Sequence, residues 1–151
     1  MPIVDYPFTE TRDGSLLPML WIRIVNPESR KGVIVQAIVD TGAEKIMFPA
    51  DTAEQLGHNL RAVNSSPMET LVGEGEMFAH TTRVDVLAPH RDNIFWPDEK
   101  NILHTIEDTE IDFVVKGCQF LMGAENFLNE FILEVNYPKR KFSIVRVRSA
   151  S

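Results

Sequence analysis

Residues 33–43 constrain the chain more than any other stretch. Val33-Ile34-Val35-Gln36-Ala37-Ile38-Val39 has the composition of a strand, and it delivers Asp40-Thr41-Gly42-Ala43 to a tight turn. A second apolar run, Ile46-Met47-Phe48-Pro49, leads away from it. An Asp at a strand end followed by Gly lies where a ligand backbone can approach closely, whereas an Asp in mid-strand would be buried without partners or simply solvated. The arrangement therefore presents one reactive acid, and the plain alternative is an ordinary polar turn.

Nine prolines and eight glycines spread over 151 residues fit short strands joined by turns better than long helices. The expected class is mostly β, in a single domain spanning 1–151. Residues 1–15 read as an N-terminal arm or short edge strand, and 16–25 with 33–39 as a hairpin across a loop of turn residues. Residues 50–56 have helical composition, follow Pro49 and meet Gly57 in C-cap position. Residues 68–86 read as a second hairpin about a Gly73-Glu74-Gly75 tip. The stretch 88–112, with Pro89, Pro97 and a run of acids, reads as an irregular insertion pinned by Phe95-Trp96. Apolar residues at Ala124, Phe127, Leu128 and Phe131 have helical spacing and predict a short helix over 124–131. The end, 131–147, is a C-terminal hairpin turning at Tyr137-Pro138-Lys139-Arg140.

Four of these elements, in this order, resemble the landmarks of the single-domain, retroviral-type aspartic peptidases, the retropepsin-like family. They are Asp40-Thr41-Gly42-Ala43 behind Ala37-Ile38-Val39, the hairpin Leu71-Val72-Gly73-Glu74-Gly75, the run Leu121-Met122-Gly123, and the helix after it, together spanning roughly residues 17–145. The resemblance implies a retropepsin-like acid-protease β-barrel with a flap hairpin and one short C-terminal helix. It also implies an aspartic-type endopeptidase, a hydrolase using neither metal nor cofactor. Asp40 would be catalytic, with Thr41, Gly42 and Ala43 supporting the active-site turn. Leu71, Val72, Gly73, Glu74 and Gly75 would form the substrate-binding flap, and Leu121, Met122 and Gly123 would pack behind the turn.

Hydrolysing a peptide without a metal or covalent nucleophile requires one carboxylate to take a proton from water and a second group to hydrogen-bond the carbonyl oxygen. Two close carboxylates do both jobs, because like charges a few ångströms apart cannot both ionise and so share one proton. Asp-Thr-Gly occurs once here: Asp13 is followed by Gly14-Ser15, Asp51 by Thr52-Ala53 and Asp108 by Thr109-Glu110. The second carboxylate must then be Asp40 of another copy, which makes a two-fold homodimer the expected active form, acting on a peptide or protein substrate. The sequence departs from the family in one respect. Viral relatives pair an acid after the turn with a basic residue just after the second Gly; Glu44 is present, but Ala124-Glu125-Asn126 offers no base. A catalytically silent peptide- or partner-binding module with the same fold is the alternative reading.

Other chemistries find less support. A net charge of −7 argues against a nucleic-acid partner, and Lys139-Arg140-Lys141, with Arg146 and Arg148 beyond, reads as a solvated turn and tail. His58, His80, His90 and His104 lack ligand-like spacing, and no phosphate-cradling loop occurs. The single Cys118 suits a reducing compartment, and neither a signal-peptide pattern nor a membrane-length apolar run is present, so a cytoplasmic protein without a membrane partner is expected. Ala43 generates a test. A serine there would donate to the Asp40 carboxylate and favour its ionised form, so Ala43→Ser should shift the pH optimum for peptide cleavage to more acidic values; an unchanged pH–rate profile would refute this role.

Overall fold

Leu20, Ile22 and Ile24 are buried while their neighbours in Met19–Val25 are half-exposed, the period-two pattern of a strand with one face on a core. Phe48, Phe78 and Phe113 take the corresponding inward positions on three other strands. The computed structural model describes residues 1–70 and 73–147. Among these, the strands are β1 (Ile3–Pro7), β2 (Thr9–Glu10), β3 (Leu16–Leu17), β4 (Met19–Val25), β5 (Gly32–Val39) and β6 (Met47–Pro49). After helix α1 (Ala50–Gln55) and a 3-10 turn (Leu60–Ala62) come β7 (Ser66–Thr70), β8 (Gly73–Pro89), β9 (Pro97–Val115) and β10 (Leu121–Met122). A second 3-10 turn (Leu128–Glu130) precedes β11 (Phe131–Asn136) and β12 (Lys141–Arg146).

The main sheet runs β4-β5-β10-β6-β9-β8, and β8 pairs back onto β4 through Ile22↔Val86 and Ile24↔Val84, closing a six-stranded barrel. Closure removes the open sheet edges, and β7 continues the sheet beyond β8. The barrel core includes Ile22, Ile24, Ile46, Phe48, Ile111, Phe113 and Met122, each fully buried. A smaller sheet, β1-β12-β11, ties the N-terminal arm to the C-terminal hairpin, with Ile3 and Tyr6 buried and Tyr6 edge-on to Phe142 at 5.8 Å.

Three expectations need correction. The stretch 88–112 is not an irregular insertion. From residue 97 it is strand β9, paired with β8 from Pro89↔Pro97 to Glu76↔Val115, and only 90–96 loops out. Tyr6 Oη and Trp21 Nε1 donate to the carbonyls of Ile94 (2.7 Å) and Phe95 (3.1 Å), so polar bonds to its backbone pin this loop while Phe95 and Trp96 themselves stay exposed. The expected helix over 124–131 is a series of turns ending in the 3-10 turn Leu128–Glu130, and α1, ending near Gly57 at φ +80°, is the α-helix of the described residues. Finally, Gly73-Glu74-Gly75 does not form the tip of the second hairpin. Thr70 pairs with Gly73 and Met68 with Gly75, so Gly73, Glu74 and Gly75 lie in strand; Leu71, Val72 and Arg148 lie outside the described residues.

Phe113 is fully buried, with the rings of Phe48, His58 and His80 at 6.0, 5.6 and 6.1 Å. Phe113→Ala should cost about 3–5 kcal/mol, measured by urea unfolding at unchanged m-value. A loss below about 1 kcal/mol would mean that the barrel core is not packed in this way.

Candidate active site

The short strand β10 lies between β5 and β6, parallel to β5 in the register Leu121↔Ile38 and Met122↔Val39. The amides of Ile38 and Asp40 donate to the carbonyls of Phe120 (2.8 Å) and Met122 (3.2 Å), while that of Val39 donates to Pro18 (2.9 Å). The end of β5 is thus clamped from both sides, and Asp40 leaves it at a fixed place. The turn then closes on itself. The Ala43 amide donates to the Asp40 carbonyl at 3.3 Å, and the Gly42 amide donates to Asp40 Oδ1 at 2.8 Å, which orients the carboxylate. Asp40 is half-buried, Thr41 and Gly42 are exposed and Ala43 is buried.

Gly123 permits the approach that holds this turn. A Cβ at this position would lie 2.3 Å from the Lys45 carbonyl oxygen and 2.7 Å from that of Ala43, both backbone atoms with no rotamer to escape into. Three hydrogen bonds follow directly. The Ala124 amide donates to the Ala43 carbonyl (3.0 Å), the Glu125 amide to the Glu44 carbonyl (2.8 Å), and the Ile46 amide to Asn126 Oδ1 (2.9 Å). The segment after Gly123 is thus joined to the turn by backbone and by a side-chain amide, with no ion pair among the described residues. Asn126 is the residue that sequence reasoning missed; its one signal is a polar amide three positions past the glycine.

Beside the turn opens a cavity of about 740 Å³. Asp40 and Thr41 form part of its wall, with Leu17, Pro18, Leu121 and the exposed Tyr137 around them and Met68 reaching in from β7. Leu121 is half-buried and borders the cavity, whereas Met122 is fully buried in the core. Among the described lining residues Asp40 is the sole carboxylate. Cys118 also borders the cavity, but burial pushes its thiol up to about 11, so it stays protonated at neutral pH. On the other side of the turn, Gly42 and Ala43 border a second cavity of about 290 Å³, and Met68 borders this one too. Strand β7 therefore borders both cavities through Met68. Of the expected flap residues, Gly73 has φ +112° and is exposed, as is Glu74; Gly75 is half-exposed opposite Met68; Leu71 and Val72 lie outside the described residues. Among the described residues no group of three or more His, Cys, Asp or Glu is placed to hold a metal ion, and no helix is long and apolar enough to cross a membrane.

No family model matches the sequence, and no curated protein is significantly similar to it. The crystal structure of a retropepsin-like aspartic protease from Rickettsia conorii superposes with a TM-score of 0.59 at 18% sequence identity, covering 96% of this chain and 98% of that one. The fold is retropepsin-like. At this identity the likeness speaks for the fold alone, and within that retropepsin-like fold the Asp40 turn, β10 and the β7–β8 hairpin have the geometry described above.

The Asn126 bond gives a test of how the turn is held. Ile46 is fully buried, so Asn126→Ala should leave its amide unsatisfied and cost about 1–3 kcal/mol in thermal or urea unfolding. Asn126→Asp, which keeps the acceptor, should retain most of that stability; equal losses in the two variants would show that the hydrogen bond is not what position 126 contributes.

Proposed function

We propose that the chain is an aspartic endopeptidase whose active form is a homodimer, with Asp40 from each copy completing a carboxylate dyad. The observation that carries this reading is a single carboxylate, fixed by its own turn and by β10, on the wall of a cleft large enough for a peptide. General acid–base hydrolysis needs a second proton-carrying group beside the first. Among the described residues lining the cleft of one copy, the further ionisable side chains are Cys118 and Tyr137. A thiol pushed up to about 11 is poorly matched to proton transfer near neutral pH. A second Asp40 across a two-fold axis supplies the missing group, and the pair would share one proton and titrate jointly.

In this mechanism one ionised Asp40 takes a proton from the attacking water while its protonated counterpart donates to the scissile carbonyl. The tetrahedral intermediate then collapses with proton transfer to the leaving amine. Thr41 would bond across the axis and keep the two turns rigid, and the exposed Gly42 leaves room for the substrate backbone. The β7–β8 hairpin would close over the substrate and exclude water. The unpaired Cys118 is in keeping with a reducing compartment, and the proposal places the activity in the cytoplasm.

Cleavage of a mixed peptide library by wild type and by Asp40→Asn, at several pH values and with oligomeric state measured in the same samples, tests this. Activity should track the dimer and fall by at least ~10³-fold in Asp40→Asn, since the dyad acts as a unit. An active monomer would overturn the shared dyad. A folded wild-type dimer that binds peptides but cleaves none at any pH would favour the binding module instead.

A further inference from the structure

The inward positions of β6, β8 and β9 are taken by Phe48, Phe78 and Phe113, so strand alternation turns their neighbours Met47, Met77 and Asp112 to the opposite face. Pairing brings that face together: Met47 is opposite Asp112 across β6–β9, and Asp112 is opposite Ala79 across β8–β9. With Met68 of β7, these residues form the walls of the 290 Å³ cavity that abuts Gly42 and Ala43. Methionine is an adaptable apolar wall and fits unbranched side chains. Asp112 is the anomaly in such a setting. It is half-buried, and among the described residues no hydrogen bond or ion pair reaches its carboxylate.

Burial is the main cause of an upward pKa shift at Asp112; Lys45 pulls it back and Glu110 pushes it further up. The other charged groups here are Glu44 and Lys45, both exposed on the turn leading into β6. On β8, His80 follows Ala79 but turns to the inward face, its ring 6.1 Å from that of Phe113, and is engaged with the Leu60 carbonyl at 2.9 Å. Among the described residues around the cavity, negative charge therefore exceeds positive, and the half-buried charge in its wall is a carboxylate that no hydrogen bond or close ion pair reaches.

We infer that Asp112 is a specificity-determining residue, and that the cavity beside Gly42 and Ala43 takes a lysine or arginine side chain of the substrate, its aliphatic stem between Met47, Met68 and Met77 and its cationic head on Asp112. This rests on the reading of the Asp40 turn as a peptide-cleaving site and names the class of peptide it prefers: one with a basic residue beside the scissile bond. A long cation gains twice there, by burying its methylenes against thioethers and by giving the Asp112 carboxylate a charge-assisted hydrogen bond.

The test uses the full chain and peptides with lysine, its uncharged isostere norleucine or glutamate placed in turn at each position around the scissile bond. One series is cleavable, and the other carries an uncleavable reduced amide. At one position lysine should be preferred roughly tenfold in both kcat/KM and binding. The preference should grow as pH rises through the raised titration range of Asp112, vanish in Asp112→Asn and return in Asp112→Glu. No lysine preference, a preference that survives in Asp112→Asn, or selection of glutamate by Lys45 would overturn the inference. Absence of cleavage with lysine-selective binding of the reduced-amide series would overturn the peptidase reading and leave the role of Asp112 standing. Failure to bind any peptide would overturn both.

Discussion

The approach of Gly123 to the Ala43 and Lys45 carbonyls is the contact on which the site depends. A two-residue strand has little stability of its own, yet β10 holds its place because it is paired on both sides, with β5 and with β6. Any side chain at 123 would push it outward against backbone atoms. The Ile38 and Asp40 amides would then lose their acceptors, and the bonds joining 124–126 to the turn would go with them. Fixing the carboxylate is thus a property of the whole crossing, with Met122, Ile46 and Phe48 packed behind it as its rigid backing.

How much of this was legible in the sequence follows from how local each constraint is. The Asp40 turn, α1 and the two hairpins 16–39 and 131–147 are local patterns, and all four are found where composition and turn residues put them. The lower half of β9 is not local. Residues 99–102 are exposed, which leaves no apolar face to read; Asp98 and Ile102 pair with β8, and 99–101 fall in a register shift between them, where Arg23 Nη2 donates to the Glu99 carbonyl at 3.1 Å. The prolines that suggested irregularity, Pro89 and Pro97, face each other at the far end of that pairing, next to the loop, where a missing amide is tolerated.

The segment after Gly123 misleads for the opposite reason. Ala124, Phe127, Leu128 and Phe131 have the spacing of a helical face, but the amides of Ala124 and Glu125 are already committed to Ala43 and Glu44. Those are donors of a would-be first turn, directed at the loop after Asp40, and the side chain of Asn126 is directed there too. The chain turns regular only at Leu128. Phe127 and Leu128 are both buried because the segment is enclosed by core, so the apolar spacing records burial and not a helix.

The elements beyond the viral pattern also reach the site. The C-terminal hairpin places Tyr137 on the wall of the Asp40 cleft, where its ring meets Phe8 edge-on at 5.7 Å. Phe8 in turn follows β1, which pairs with β12, so the N-terminal arm, the last strand and the cleft wall form one unit. The Phe8 amide donates to the Arg140 carbonyl at 2.8 Å, closing this unit at the hairpin turn itself. Viral chains end soon after the second glycine and give their last strand to a partner. Here the pairing of β1, β12 and β11 is satisfied within one copy. In the proposed two-fold assembly around Asp40, the exposed Thr41, Gly42 and Tyr137 at the turn and cleft rim are available as contacts. In the proposed dimer, the residues that join the copies would then be the same ones that meet the proposed substrate.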